Sequence, residues 1–146
     1  MDEQTLRFVQ SWVYKASEDL DAAEVLSQCS PPLLSSATYH CQQCAEKIMK
    51  ALLAVHGQAL RTHDLTALVV ELSTYEPQIL TLREEAIRLS PFATRFRYPD
   101  DLSFDALQPE LEIFERAMND ARTIYRLVLN LLPSAVTANF INSNEL

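Results

Sequence analysis

The sequence nearly lacks glycine: Gly57 is the only one in 146 residues. Hairpins, bulges and phosphate-cradling loops use glycine where the backbone turns left-handed or approaches a neighbour closely. A chain with one glycine has little means of building them. Helices joined by proline-containing turns are expected instead, and there are seven prolines to make them. Cysteine is scarce too. Three cysteines, an odd number, do not form a disulfide framework, so a reduced, cytoplasmic setting is expected. No apolar run approaches the roughly 20 residues of a membrane span. The start, Met1-Asp2-Glu3-Gln4, is acidic and lacks the basic-then-apolar pattern of an export signal. Basic residues are outnumbered, 12 against 20 acids, for a net charge of −8. A general electrostatic attraction to nucleic acid is therefore not expected.

What charge there is lies unevenly. Residues 1–39 carry six acids and two bases, and residues 101–146 seven acids and three bases. Residues 40–100 carry seven of each and hold all three histidines. An anion-binding site, if the chain has one, belongs in that relatively basic middle third.

Apolar periodicity supplies the elements. Leu6, Val9, Val13, Ala16, Leu20 and Ala23 step by threes and fours, which predicts a helix over 3–28 with Asp2 as its cap. Pro31-Pro32 ends it. Leu34, Ala37, Cys41, Cys44, Ile48, Leu52 and Val55 predict a second helix over 33–55, with Gly57 in a left-handed C-terminal cap. A short helix is expected from His63 to Thr74 with Thr62 as cap, and another from Pro77 to Ser90. Residues 91–108 read as the one long loop, and such loops in compact domains are often functional. The stripe Phe114, Ala117, Ala121, Ile124, Val128, Leu131 marks a last long helix from Pro109. The expected fold is all-α: an up-and-down bundle of four to five helices over residues 1–133, followed by a loose tail over 134–146. Long helices in such bundles often keep a second apolar strip for a homodimer.

Several residues could carry chemistry. Cys41 and Cys44 form a Cys-x-x-Cys with His40 one turn from Cys44. Both cysteines continue the apolar stripe, so packing is favoured over metal or redox work, and no metal site or cofactor is assigned. His40, Gln43 and Lys47 fall beside that stripe, either as a polar cleft wall or as a solvated edge in which Glu46 pairs with Lys50. Arg61-Thr62-His63-Asp64 begins a helix, where an anion or a capping turn would suit. Arg95-Phe96-Arg97-Tyr98 alternates arginine with aromatics inside the long loop. Arginine forks suit phosphate and tyrosine suits a stacked base. Equally, the arginines could pair with acids of the last helix while the aromatics fill the core.

Taken together, these pieces resemble a known family. Tyr39-His40-Cys41-Gln42-Gln43-Cys44-Ala45-Glu46-Lys47 is similar to its second-helix signature, Thr62-His63-Asp64-Leu65 to its short-helix start, and Arg97-Tyr98-Pro99-Asp100 to its Arg-Tyr-Pro loop. Trp12, Ala16, Asp19-Leu20 and Ala23 resemble its first helix. The order matches HEPN, the higher eukaryotes and prokaryotes nucleotide-binding domain, over roughly residues 5–130. The resemblance implies a helical bundle, often dimeric, paired with a minimal nucleotidyltransferase in toxin–antitoxin or defence modules. Many members are metal-independent ribonucleases whose motif is an arginine followed after four to six residues by a histidine. No histidine follows His63 here, so that motif is absent. The resulting expectation is a non-catalytic module binding a nucleotide or RNA, or its nucleotidyltransferase partner, through His40, Gln43, Lys47, His63, Arg95, Arg97 and Tyr98. One alternative is a ribonuclease toxin in which Arg97 meets His40 or His63 in space. Another is a pure dimerisation and interaction protein.

Overall fold

A computed structural model describes residues 1–99 and 106–140. Helix α1 spans Glu3–Ser27, α2 Leu34–Val55, α3 Leu65–Ser73, α4 Arg83–Leu89, α5 Leu111–Leu131 and α6 Ser134–Thr137. Two 3₁₀ turns, Pro77–Leu82 and Ser90–Ala93, bracket α4. The all-helical bundle expected from the missing glycines is the fold that forms, and no strand occurs among the described residues.

The ends of the long helices follow local chemistry. Asp2 caps α1 by accepting the Thr5 N–H at 2.7 Å. At the end of α2, Gly57 has φ +68°, its N–H reaches the Ala54 carbonyl at 3.1 Å, and the Gln58 N–H reaches Leu53 at 2.9 Å. These two bonds are the Schellman pattern, and they satisfy carbonyls that the helix leaves open. A Cβ placed on Gly57 would meet nothing within 4 Å. Gly57→Ala should therefore cost only the left-handed backbone penalty, about 1 kcal/mol. A loss several times larger in urea titration would mean that the turn carries more than a conformational preference.

Chain direction can be read from contacts. Asp19 of α1 meets His40 and Lys47 of α2, and Trp12 shares a cleft with Leu53 and Ala54, so α1 and α2 are antiparallel. The Gln108 side chain accepts from the Ser35 N–H, and the Cys41 thiol lies 3.7 Å from the Met118 sulfur, so α5 runs parallel to α2. The segment 58–63 doubles back along α2. α3 then descends beside it, and α4 returns until Ser90 accepts the Leu65 N–H at 2.9 Å.

This arrangement makes α2 the central helix. Ala37, Cys41, Cys44, Ile48 and Leu52 are fully buried as their spacing predicts. So are Gln42, Ala45, Met49, Ala51 and Leu53, which lie off that stripe, because α1, α5 and α3 cover α2 on several sides. Burial pushes the Cys41 thiol up to about 12 and raises that of Cys44 well above its ordinary range. Both cysteines are protonated core residues that pack.

Several boundaries differ from the sequence reading, and the single helix expected from Pro77 to Ser90 is a 3₁₀ turn over Pro77–Leu82 followed by α4. α3 begins at Leu65, and its cap is Asp64, whose carboxylate accepts the Thr66 N–H at 2.9 Å. Thr62 instead accepts the Asp64 N–H. α5 begins at Leu111, so Pro109 precedes the helix and is buried. Residues 134–137, placed by the sequence in a loose tail, form a helical turn because Val136 is fully buried against the bundle and the Gln10 side chain donates to the Ala135 carbonyl at 3.3 Å. Residues 141–146 of that tail lie outside the described residues, as do Asp100 and the middle of the long loop.

Candidate binding face on the second helix

His40, Gln43, Lys47 and Lys50 recur every three or four residues, so they share one face of α2. Each is half-buried, and the face forms a strip between α1 and the segment that enters α3. Two buried carboxylates organise it. Asp19, from α1, accepts His40 Nδ1–H at 2.7 Å on one oxygen and Lys47 Nζ at 2.6 Å on the other. Because a carboxylate offers no proton, Nδ1 is the donor of this bond, and Nε2 is the nitrogen left for other partners.

Glu46 organises the second cluster. It is 4% exposed and accepts from Lys50 Nζ at 2.7 Å, from Gln42 Nε2 at 3.1 Å and from His63 Nδ1 at 3.0 Å. Gln42 also donates to the His63 carbonyl at 3.0 Å and accepts from Gln43 Nε2 at 2.7 Å, so this buried amide is fully used. Burial alone would raise the Glu46 carboxyl. Hydrogen bonds from Lys50, His63 and Gln42 outweigh it and hold the group below the ordinary carboxylate range.

The loop residues approach the other end of the strip. After the Ser90–Ala93 turn the Arg95 N–H returns to Pro91 and the Arg97 N–H to Thr94. Between them Phe96 has φ +64°, a left-handed conformation that costs a non-glycine residue about 1–2 kcal/mol. The Phe96 ring stacks on Phe92 at 6.1 Å and is partly buried against the core, which holds the turn in place. Arg97 thereby lies over the Tyr39 ring at 4.5 Å, and Tyr39 meets His40 edge-to-face at 5.5 Å. Tyr98 is 62% exposed.

The structure brings the sequence-derived residues together in two clusters. His40 and Lys47 meet on Asp19, Gln43 and His63 meet on Glu46, and Arg97 joins the His40 side through Tyr39. Arg95 lies over the Phe96 ring at 4.9 Å and makes none of these contacts. The Glu46–Lys50 helix pair forms as the spacing suggests. The idea that the loop arginines hold acids of the last helix is replaced by another pair: Arg88 of α4 grips Asp120 of α5 with two bonds, 2.8 and 2.9 Å. The start of α3 is a capping turn. Its Leu65 and Thr66 N–H groups already donate to Ser90 and Asp64, which leaves them unavailable to an anion.

Sequence reasoning gave no role to Asp19, Glu46 or Gln42 as organisers of the strip. A signal for Asp19 existed. It lies three residues after Ala16 and four before Ala23, on the apolar stripe, where an acid is seldom buried unless partnered.

The HEPN domain model matches residues 9–131, most of the chain and all of the strip. This chain belongs to the HEPN family. This HEPN protein is 25% identical over 139 aligned residues to a protein named "Putative toxin MJ1304" from Methanocaldococcus jannaschii, covering 87% of this chain and 90% of that one. Among solved structures it resembles ST0689, described as an archaeal HEPN homologue, at 26% identity and a TM-score of 0.67, covering 84% of this chain and 96% of that one. It shares its fold with TT1696 from Thermus thermophilus, at 24% identity and a TM-score of 0.74 over 85% and 98% of the two chains. No described helix of the HEPN domain is long and apolar enough to cross a membrane.

Proposed function

We propose that this HEPN domain is the binding component of a toxin–antitoxin type pair, acting in the cytoplasm as a homodimer beside a minimal nucleotidyltransferase. It takes a phosphate-bearing ligand, a nucleotide or single-stranded RNA, along the α2 strip. The toxin context is supported by the name of the archaeal relative. The observation that carries the ligand is the meeting of Arg97, Tyr39 and His40 at one end of the strip. Arg97 offers a planar fork for phosphate, and the exposed Tyr98 offers a face for a base. Lys47 and Gln43 extend the polar surface along the helix.

Arg97→Ala is the direct test. An exposed cation–π contact contributes only about 0.5–1 kcal/mol to folding, so the variant should melt close to the parent. Its binding of labelled single-stranded RNA, followed by anisotropy, should weaken roughly tenfold, the worth of one charge-assisted hydrogen bond. Unfolding of the variant would make Arg97 a structural residue and end the ligand reading.

One observation favours a second reading. Asp19 holds His40 by Nδ1, which leaves Nε2 as a base or acid, with Arg97 nearby through Tyr39. In a ribonuclease with this rearranged site, His40 would take the 2′-hydroxyl proton and Arg97 would meet the charge growing on phosphate. Metal-free cleavage of the same RNA, lost in both Arg97→Ala and His40→Ala, would establish it. A rate unchanged by His40→Ala and His63→Ala would remove it.

A further inference from the structure

On the flank of α1 that faces the C-terminal half of α2 there is a cleft of about 200 Å³. Phe8, Trp12, Leu53 and Leu60 supply apolar walls. The Phe8 and Trp12 rings meet edge-to-face at 6.2 Å, and Phe8 is more than half exposed. The charged residues in the lining are Lys50 and Arg61, both cationic, and no acid lines the cleft among the described residues. That is unexpected on a chain of net charge −8. An apolar space of roughly 150 Å³ accommodates a single six-membered ring. A ligand site of this kind commonly combines apolar walls with a few polar groups that set orientation.

We propose that this cleft is a second ligand site, which takes a small carboxylate with a ring-sized apolar body. The body packs against Trp12, Phe8 and Leu53, and the carboxylate accepts from Arg61 and Lys50. Lys50 gives one of its three N–H groups to Glu46 at 2.7 Å, which leaves donors for a bound carboxylate. Lys50 therefore links the cleft to the Glu46 cluster of the strip. The proposal does not rest on RNA binding, and its test does not use RNA.

Trp12 is the only tryptophan in the chain, so its emission reports on the cleft directly. Cyclohexylacetate does not absorb where tryptophan is excited and serves as the probe, with the neutral cyclohexylacetamide beside it. The expected result is a saturable blue shift with the acid. Binding should be roughly tenfold weaker for the amide and for Arg61→Glu, as loss of a charge-assisted bond requires. Arg61 is exposed, so this variant should keep the parent fold. No saturable change with the acid, or equal binding of acid and amide, overturns the proposal. So does an Arg61→Glu variant that binds as the parent does.

Discussion

Replacing Glu46 with alanine should destabilise the protein by about 3 kcal/mol, roughly 10 °C in the thermal midpoint for a chain of this size. Lys50, Gln42 and His63 all donate to this carboxylate, and Gln42 is fully buried. Without Glu46, Lys50 loses the charge that compensates its burial, and the Gln42 amide nitrogen keeps only the His63 carbonyl as acceptor. Glu46→Gln retains the volume and separates the loss of charge from the loss of packing.

The pH dependence has a definite sign. The folded carboxyl titrates below its unfolded value near 4.5. The stability it contributes is therefore present above that unfolded value and is lost as pH falls through the folded one. Parent and Glu46→Gln should differ most at neutral pH and converge in acid. Parallel stability curves from pH 7 down to pH 3 would show that the Glu46 charge does not stabilise the fold.

Arg88→Ala should have a comparable effect, about 3 kcal/mol. Asp120 is 2% exposed, and Arg88 donates to both of its oxygens across the α4–α5 contact. Truncating the arginine leaves a buried carboxylate without its partner. Arg88→Lys should recover little, because an ammonium cannot supply two parallel N–H groups from a planar fork. Adding Asp120→Asn to Arg88→Ala removes the stranded charge and should restore part of the loss. A double-mutant cycle by urea titration measures this coupling. Additive single effects would mean that the pair is no more than a surface contact.

The two ion clusters and the Arg88–Asp120 pair explain why site residues were harder to read than helices. The cap at Asp2, the left-handed turn at Gly57 and the stripes of α1, α2 and α5 depend on neighbours within a few residues. Their physics is local, and spacing reveals it. The partner of Asp19 lies 21 residues away in His40 and 28 away in Lys47, while Arg88 and Asp120 are 32 apart. Spacing carries no information on such pairs. The same limit applies to α2. One stripe describes a helix covered on one side, whereas α2 is covered on several, and Gln42 and Glu46 became interior groups that had to find partners.

The sequence by itself determined the all-helical class, the three long helices, the caps at Asp2 and Gly57, the family and the absence of a histidine downstream of the loop arginines. Composition and short-range periodicity are enough for the helices, and the order of short motifs for the family. Only the tertiary structure decided that Arg97 lies on Tyr39 beside His40, that His63 joins Glu46, and that Lys50 and Arg61 share an apolar cleft with Trp12. Those meetings depend on how α3 and α4 fold back along α2 and on the left-handed turn at Phe96, which bring together side chains far apart in the chain.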